Sequence, residues 1–181
     1  HVYGDKKNYP RGSSEKISPD NIYTQTKLVC EELIQETGGV SARMSNLYGL
    51  GMASNSVISD IFKQIPKNSP LQVRDSSSVC DFLWVGDAAS GLADMALASC
   101  SGIFNLGSGK STSVLKMCRM AERIVLGQDL LTKQLESKIK NSSYDVDFWA
   151  CTEKVHKTLN WQSTTTVMNG IEKTWNWTQH K

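Results

Sequence analysis

Net charge, long apolar runs and closely spaced cysteines are all scarce in this sequence of 181 residues. Lys and Arg total 20 against 18 Asp and Glu, a formal net charge of +2. This balance gives no electrostatic reason to expect nucleic acid or an anionic membrane surface as a partner. No apolar run approaches the roughly 18–20 residues that a membrane-spanning helix needs. The sequence therefore predicts neither nucleic-acid binding nor membrane insertion.

Disulfide and metal-binding patterns are missing too. The cysteines are widely spaced and lack a CxxC pair, which predicts reduced, mostly buried thiols in a cytoplasmic protein. They are Cys30, Cys80, Cys100, Cys118 and Cys151. The three histidines, His1, His156 and His180, lack the spacing of zinc ligands, so no metal site is predicted. Because the chain opens with His1 and has no signal-peptide pattern, we interpret it as the inside of a longer polypeptide.

Strand and helix patterns alternate along the whole chain, which predicts an α/β fold with a largely parallel sheet. Helices are predicted over about 19–36, 57–64, 87–99, 113–126, 152–159 and 165–177. Strands are predicted over 40–45, 71–74, 82–85, 103–106 and 144–150. The stretch 127–143 is polar and has no clear pattern.

The first predicted helix carries the residues with the most chemical interest. It begins near Pro19, which suits a first turn, and is ended by two glycines at 38 and 39. Ile22, Val29, Cys30 and Leu33 form its apolar stripe at helical spacing. In the third predicted helix, Asp87 is predicted as the N-cap.

Tyr23 and Lys27 lie four residues apart on this helix, so their side chains share one face. A free phenol has a pKa near 10, so a phenolate base working near neutrality needs about 3 units of help, or about 4 kcal/mol. A neighbouring ammonium in a partly desolvated cleft can supply part of it. Taken alone the YxxxK spacing is weak, because an ordinary amphipathic helix face produces it as well.

The segment 107–112 (GSGKST) has the setting of a phosphate-binding loop, between a strand and a helix. That motif needs another glycine at the position of Phe104, where a bulky ring would obstruct the wrap of amides around phosphate. No apolar strand ending in an Asp stands out as a magnesium partner. A triphosphatase remains a rival hypothesis, but a strand-to-helix turn with two glycines is the better interpretation.

The order of several motifs resembles that of extended short-chain dehydrogenases/reductases, and within them the UDP-glucose/galactose 4-epimerase-like nucleotide-sugar epimerases and dehydratases. The resemblance covers essentially the whole chain. The matching segments are VYG at 2–4, SPDNIYTQTKLVCEEL at 18–33, RMSNLYG at 43–49, DFLWVGDA at 81–88, FNLGSG at 104–109, FWACTEKVHKTLNW at 148–161 and GIEKTWNW at 170–177.

This resemblance implies a role for five residues. Tyr23 is expected to be the catalytic acid/base and Lys27 to hold the nicotinamide ribose. The backbone of Ser45 is expected to lie against the nicotinamide. Asn46 matches the residue that contacts the nucleotide diphosphate, although a turn residue before Gly49 is the alternative. Phe148 falls where relatives carry an aromatic near the hexose, but it also suits a core position.

The implied activity is NAD(P)-dependent epimerisation or dehydration of a nucleotide-activated sugar by transient hydride transfer. The cofactor is NAD, with NADP as the alternative, and the substrate is a nucleotide sugar. Helices of this family often pair across a dimer, which implies a homodimer. The alternatives are a nucleotide-sugar reductase of the same family and a catalytically inactive Rossmann-like binding module.

The resemblance also implies a two-lobed architecture with an incomplete cofactor site. Residues 1–50 and 80–100 are expected to form the C-terminal half of a Rossmann-type, doubly wound parallel sheet, and 51–79 and 101–181 a smaller α/β substrate-binding lobe. The glycine-rich loop for the pyrophosphate and the triad Ser or Thr would precede residue 1, so the N-terminal dinucleotide-binding half is absent from the chain. We therefore expect the isolated chain to bind NAD weakly or not at all.

Two family arginines are replaced. Cys80 stands where relatives carry the Arg that clamps the diphosphate, and a thiol cannot replace a bidentate guanidinium. A second family Arg falls at Asn141. Arg74, on a predicted neighbouring strand, is the candidate to compensate for Cys80.

Overall fold

The computed structural model describes residues 3, 10–15, 17, 19, 21–67, 70–138 and 146–180, with only the backbone described at 137, 138 and 146–148. The helices are α1 (Ile22–Glu36), α2 (Val57–Gln64), α3 (Val85–Leu97), α4 (Val114–Leu126), α5 (Leu130–Lys138), α6 (Glu153–Leu159) and α7 (Val167–Thr178), and a single 3-10 turn spans Ile65–Lys67. The strands are β1 (Val40–Met44), β2 (Asn46–Tyr48), β3 (Val79–Trp84), β4 (Gly102–Leu106), β5 (Ser111–Ser113) and β6 (Val146–Phe148). The α/β class is confirmed.

The strands form two adjoining sheets, and the chain runs from one to the other through short connections. In the first sheet β1 pairs with β4 in parallel, from Val40 opposite Gly102 to Met44 opposite Leu106. In the second, β3 pairs in parallel with β2 and β6 and antiparallel with β5. Only Ser45 separates β1 from β2, and only residues 107–110 separate β4 from β5. The chain therefore passes from one sheet to the other at two neighbouring points.

Each sheet packs against helices through its own apolar cluster. Fully burying an Ile or Leu side chain stabilises the fold by about 1.5–3 kcal/mol. The cluster beside β1 and β4 contains Leu83, Ala88, Met95, Phe104, Leu106, Val155 and Trp161. The larger cluster lies between the second sheet and α2, α4 and α7, and its fully buried members include Ile61, Ile65, Met117, Cys118 and Ile171.

Helix ends follow local signals in the sequence. Asn21 caps α1 in a capping box with Thr24, and the chain leaves this helix through Gly38, whose φ is +72°. Ser113 caps α4 by accepting a hydrogen bond from the Lys116 amide, and Gly127 ends α4 in the left-handed region, where only glycine is free of steric cost.

Two predicted local features are wrong, and one helix lies where the sequence showed no clear pattern. Residues 71–74 form no strand. Asp87 is not an N-cap but lies in the first turn of α3, where its carboxylate accepts hydrogen bonds from the 163–165 segment. The polar stretch after Gly127 contains α5, and the amides of Leu131 and Thr132 donate to the carboxylate of Glu122 in α4. A cap supplied by the preceding helix leaves no periodic signal in the capped segment.

The apolar stripe of α1 does not face a core. Ile22, Val29, Cys30 and Leu33 are all exposed, and Ile22 has 80% of its surface accessible. The face that packs toward β1 carries Thr24 and the partly buried Leu28, Glu31 and Gln35 instead. The prediction of mostly buried thiols is also wrong, since only Cys118 is buried and the other four are exposed or half-buried.

In the described ranges, no helix combines the length and apolar character needed to cross a bilayer.

Candidate functional site

Tyr23 and Lys27 lie together on the first two turns of α1. The Lys27 Nζ atom is 5.5 Å from the centroid of the Tyr23 ring, within the range of an attractive cation–ring contact. Tyr23 is 64% exposed and Lys27 is exposed as well. The structure therefore brings the two side chains together at the surface, with no closed interior around them.

Ser45 directly follows the carboxyl end of β1. Its amide donates to the carbonyl of Leu106 at 2.9 Å. The residue is 7% exposed, and its buried Oγ has no hydrogen-bond partner in the part of the chain that the structure describes. Asn46, the next residue, is exposed and begins β2 opposite Phe82. It lies in a strand, not in a turn.

A buried ion pair fixes the orientation of α1. The guanidinium of Arg43 on β1 donates to both carboxylate oxygens of Glu31, at 2.8 and 2.5 Å, and also to the carbonyl of Ser13. It lies 5.0 Å from the ring centroid of Tyr3, whose hydroxyl donates to Asn105. Burial raises the pKa of Tyr3. Arg43 thus connects α1, β1 and the N-terminal segment, which is a structural role.

Cys80, which stands where the resemblance implies an arginine, lies half-buried in β3 between Thr112 and Phe148 on the two neighbouring strands. Its Sγ is 3.6 Å from the Ser78 hydroxyl. Arg74 is exposed in a segment without a strand, so its predicted placement on a neighbouring strand is wrong. Asn141 and the side chain of Phe148 lie outside the described residues.

A residue that the sequence analysis missed lies next to Cys80. Asp81 is fully buried, and its carboxylate accepts hydrogen bonds from the amides of Ser108 and Gly109, at 2.8 and 3.0 Å. These are the amides that a phosphate-binding loop would offer to a ligand, so an internal carboxylate already occupies that position. The triphosphatase hypothesis is therefore wrong. The sequence did offer a signal for Asp81, because a single acidic residue inside the apolar strand VCDFLW indicates a buried carboxylate that needs hydrogen-bond donors.

Two surface cavities lie away from the predicted residues. One, of about 500 Å³, lies along α4 beside Lys116, Arg119 and Arg123, and the other, of about 600 Å³, lies beside Leu28 and Ile103. Neither is lined by Tyr23, Lys27, Ser45 or Asn46. Within the described residues, no group of three or more His, Cys, Asp or Glu side chains could hold a metal ion.

Known proteins match this chain over almost its whole length. A profile of the family described as GDP-mannose 4,6 dehydratase matches residues 1–174. A Methanocaldococcus jannaschii protein named after UDP-glucose 4-epimerase is 29% identical over 97% of this chain and 59% of its own length. UDP-glucose 4-epimerase 2 of Arabidopsis thaliana is 28% identical over 97% of this chain and 58% of its own length.

Solved structures share the fold. UDP-N-acetylglucosamine 4-epimerase from Methanobrevibacter ruminantium M1, in complex with UDP-N-acetylmuramic acid, has a TM-score of 0.80 at 21% identity and matches 99% of this chain and 60% of its own. A variant of UDP-glucuronic acid 4-epimerase from Bacillus cereus, solved with NAD and a fluorinated substrate analogue, has a TM-score of 0.77 at 19% identity over 99% and 59% of the two chains.

The chain spans about three fifths of the length of these relatives. The Rossmann-type fold and the resemblance to nucleotide-sugar epimerases and dehydratases are both confirmed. Because the family profile covers nearly every residue, the chain belongs to the GDP-mannose 4,6 dehydratase family.

Proposed function

We propose that the full-length protein containing this chain is an NAD-dependent epimerase or dehydratase of a nucleotide sugar, with Tyr23 as the acid/base and Lys27 as its partner. The observation that carries the proposal is the Lys27 ammonium 5.5 Å from the Tyr23 ring on an open face of α1. Since α1 runs back along β1, this pair lies near the carboxyl end of the strand, the edge at which ligands bind in open α/β sheets.

The residues at this edge fit the nicotinamide half of NAD. Tyr23 and Lys27 present a hydroxyl and an ammonium on the exposed face of α1, and the backbone of Ser45, which follows β1, is proposed to lie against the nicotinamide. These three residues would hold that end of the cofactor. When bound, NAD supplies the acceptor and donor of hydride for a sugar carbon. NADP is the alternative that the same residues allow.

We propose that Lys27 assists Tyr23 through its positive charge, which acts more strongly on a neighbouring phenol in a site closed to water. Because Tyr23 is 64% exposed, the proposed mechanism needs the rest of the protein to cover the pair. Tyr23 would then take the proton of a sugar hydroxyl and return it.

Asn46 and Phe148 are proposed as substrate contacts. The exposed amide of Asn46 begins β2, one residue beyond the proposed cofactor contact at Ser45, and can donate to a diphosphate oxygen. Phe148 ends β6, whose backbone pairs with β3 at Cys80. The two residues are therefore proposed to contact the nucleotide and the sugar, respectively.

The test is turnover by the full-length protein. UDP-glucose, UDP-glucuronic acid, dTDP-glucose and GDP-mannose would be incubated with NAD, and the products would be identified to separate epimerisation, dehydration and reduction. Tyr23→Phe is expected to lower kcat about 10²–10⁴-fold, because it removes the acid/base.

Tyr48→Phe is the matched control, because its buried hydroxyl makes one long bond, 3.4 Å, to the Val167 carbonyl; it is expected to leave kcat within about threefold. Full activity in Tyr23→Phe would contradict the mechanism, and no turnover of any of the four sugars by the wild type would contradict the function. The second outcome would favour the inactive binding module. The thiol at Cys80 already supports that alternative, because a thiol cannot clamp a diphosphate.

A homodimer, a cytoplasmic location and the two-lobe division remain proposals. Support for the dimer comes from the outward face of α1, where Ile22, Val29 and Leu33 are 80%, 54% and 58% exposed. The boundaries proposed for the lobes are those of the sequence analysis, residues 1–50 with 80–100 and residues 51–79 with 101–181.

A further inference from the structure

Asp81 is a charged side chain buried among neutral donors. Its carboxylate is 0% exposed and accepts four hydrogen bonds, from the Ser108 amide and hydroxyl, the Gly109 amide and the Ala150 amide. In the described part of the chain no ion pair involves it. Burying a carboxylate without a cation costs free energy unless its hydrogen-bond donors are fixed in place. This cost indicates that Asp81 has more than a local structural role.

The four donors come from two segments that are far from Asp81 in sequence. Ser108 and Gly109 belong to the 107–110 loop that connects β4 with β5, and Ala150 lies two residues beyond β6. Asp81 itself is in β3, the strand that pairs with both β5 and β6. One carboxylate therefore joins the loop between the sheets to the segment that follows Phe148.

Gly107 shows how tightly these parts meet. A Cβ atom added there would lie 2.5 Å from the Ser45 Oγ, 2.6 Å from an Asp81 carboxylate oxygen and 2.7 Å from the Ala150 Cβ. Real Cβ contacts of this length essentially do not occur, so only glycine fits between them. Asp81 is therefore packed between the 107–110 loop and the segment that follows the strand carrying Phe148.

We propose that Asp81 is a positioning residue, which holds the 107–110 loop and the segment after β6 against β3 and so sets the affinity for the nucleotide sugar. This inference rests on the function proposed above. Asp81 touches neither substrate nor cofactor in this account; it acts through the backbone of the strand next to Cys80 and Phe148.

The effect is expected on the substrate side and not on the cofactor side. The Ser45 amide is held by the Leu106 carbonyl within the first sheet, a bond that does not involve Asp81. The amides of Ser108 and Gly109, in contrast, both donate to Asp81. Loss of the carboxylate therefore loosens the second sheet while the β1–β4 ladder remains paired.

The experiment compares two buried carboxylates in the full-length protein. Asp81→Asn keeps the shape but turns one acceptor into a donor that faces other donors. Glu122→Gln is the matched control, because Glu122 is also 0% exposed and accepts three bonds, from the Leu131 amide and the Thr132 amide and hydroxyl, none of them at the site. Both variants are expected to lower Tm by comparable amounts.

Kinetics with UDP-glucose and NAD, measured well below either Tm, separate positioning from stability. Asp81→Asn is expected to raise KM for UDP-glucose about tenfold, with kcat within about threefold and NAD affinity unchanged. Glu122→Gln is expected to leave all three constants within about twofold. An unchanged KM in Asp81→Asn, or an equal rise in both variants, would overturn the positioning role while leaving the proposed function intact.

Ser108→Ala keeps the inference testable if Asp81→Asn does not fold. It removes the hydroxyl donor to Asp81 at 2.6 Å, together with two longer bonds, both 3.2 Å, between the same hydroxyl and the Lys110 backbone. A two- to threefold rise in KM is expected, because Asp81 loses one of its four bonds. An unchanged KM in this variant would then count against the positioning role. Failure of the wild type to convert any nucleotide sugar, by contrast, would refute the proposed function itself.

Discussion

At the scale of single residues, Cys80 places a thiol where the resemblance implies an arginine that clamps the diphosphate. It lies half-buried between Thr112 and Phe148, and Arg74 is not on an adjoining strand to replace the missing guanidinium. We expect Cys80→Arg in the full-length protein to tighten UDP binding roughly 10- to 100-fold, because a charged hydrogen bond contributes about 1.5–3 kcal/mol. Isothermal titration with UDP measures this directly.

Cys80→Lys is the matched variant for this prediction. A lysine adds the same charge at the same position but cannot make the planar, bidentate contact of a guanidinium. It is expected to tighten UDP binding by less than about fivefold. Equal gains from Arg and Lys would show that charge alone matters, and no gain from Arg would show that the diphosphate does not pass β3 at this point.

At the scale of elements, α3 and the chain before α7 are joined through one carboxylate. Asp87 accepts hydrogen bonds from the amides of Thr164 and Thr165 and from the hydroxyls of Ser163, Thr164 and Thr165. Burial alone would raise the pKa of Asp87, but these bonds outweigh it and hold the pKa below the usual value of 3.8. The ionised carboxylate is therefore what the fold stabilises.

The sign of the pH dependence follows from that lowered pKa. Asp87 contributes stability above its unfolded pKa of about 3.9 and loses it as the pH falls through the lower, folded value. Asp87→Asn is expected to lower the free energy of unfolding at pH 7 by about 1–3 kcal/mol and to flatten its fall below pH 4. Urea unfolding at pH 7 and pH 3 tests both parts. A variant with the wild-type slope below pH 4 would contradict the assignment.

At the scale of the whole molecule, the outward face of α1 is the surface through which we propose that copies of the protein meet. A row of exposed apolar side chains is costly in water and typical of an interface. If the full-length protein is a dimer through α1, Leu33→Glu is expected to convert it to a monomer in light scattering, because a carboxylate would be buried without a partner. Leu97→Glu, on the 86% exposed Leu97 of α3, is the control and should leave the mass unchanged. If the Leu33→Glu variant remains a dimer, the interface does not run through this face of α1.

The parts of the fold that local sequence encodes were predictable. The alternating pattern of β1, the amphipathic pattern of α4 and the glycines after α1 act within a few residues of themselves, and the structure contains each of these elements close to its predicted bounds. The family was predictable as well, because its motifs recur in a fixed order. The approach of Lys27 to Tyr23 followed from helical spacing alone.

Contacts between remote residues were decided only by the tertiary structure. Local sequence does not show that Asp81 accepts hydrogen bonds from the amides of Ser108 and Gly109, or that Glu122 caps α5. Both arrangements depend on how separate elements of the chain pack together. The same reason explains the orientation of α1. Its periodicity indicates an apolar stripe, but the Arg43–Glu31 pair determines which face of the helix meets β1. Hydrophobic periodicity records that a face is apolar, whereas only packing determines what that face contacts.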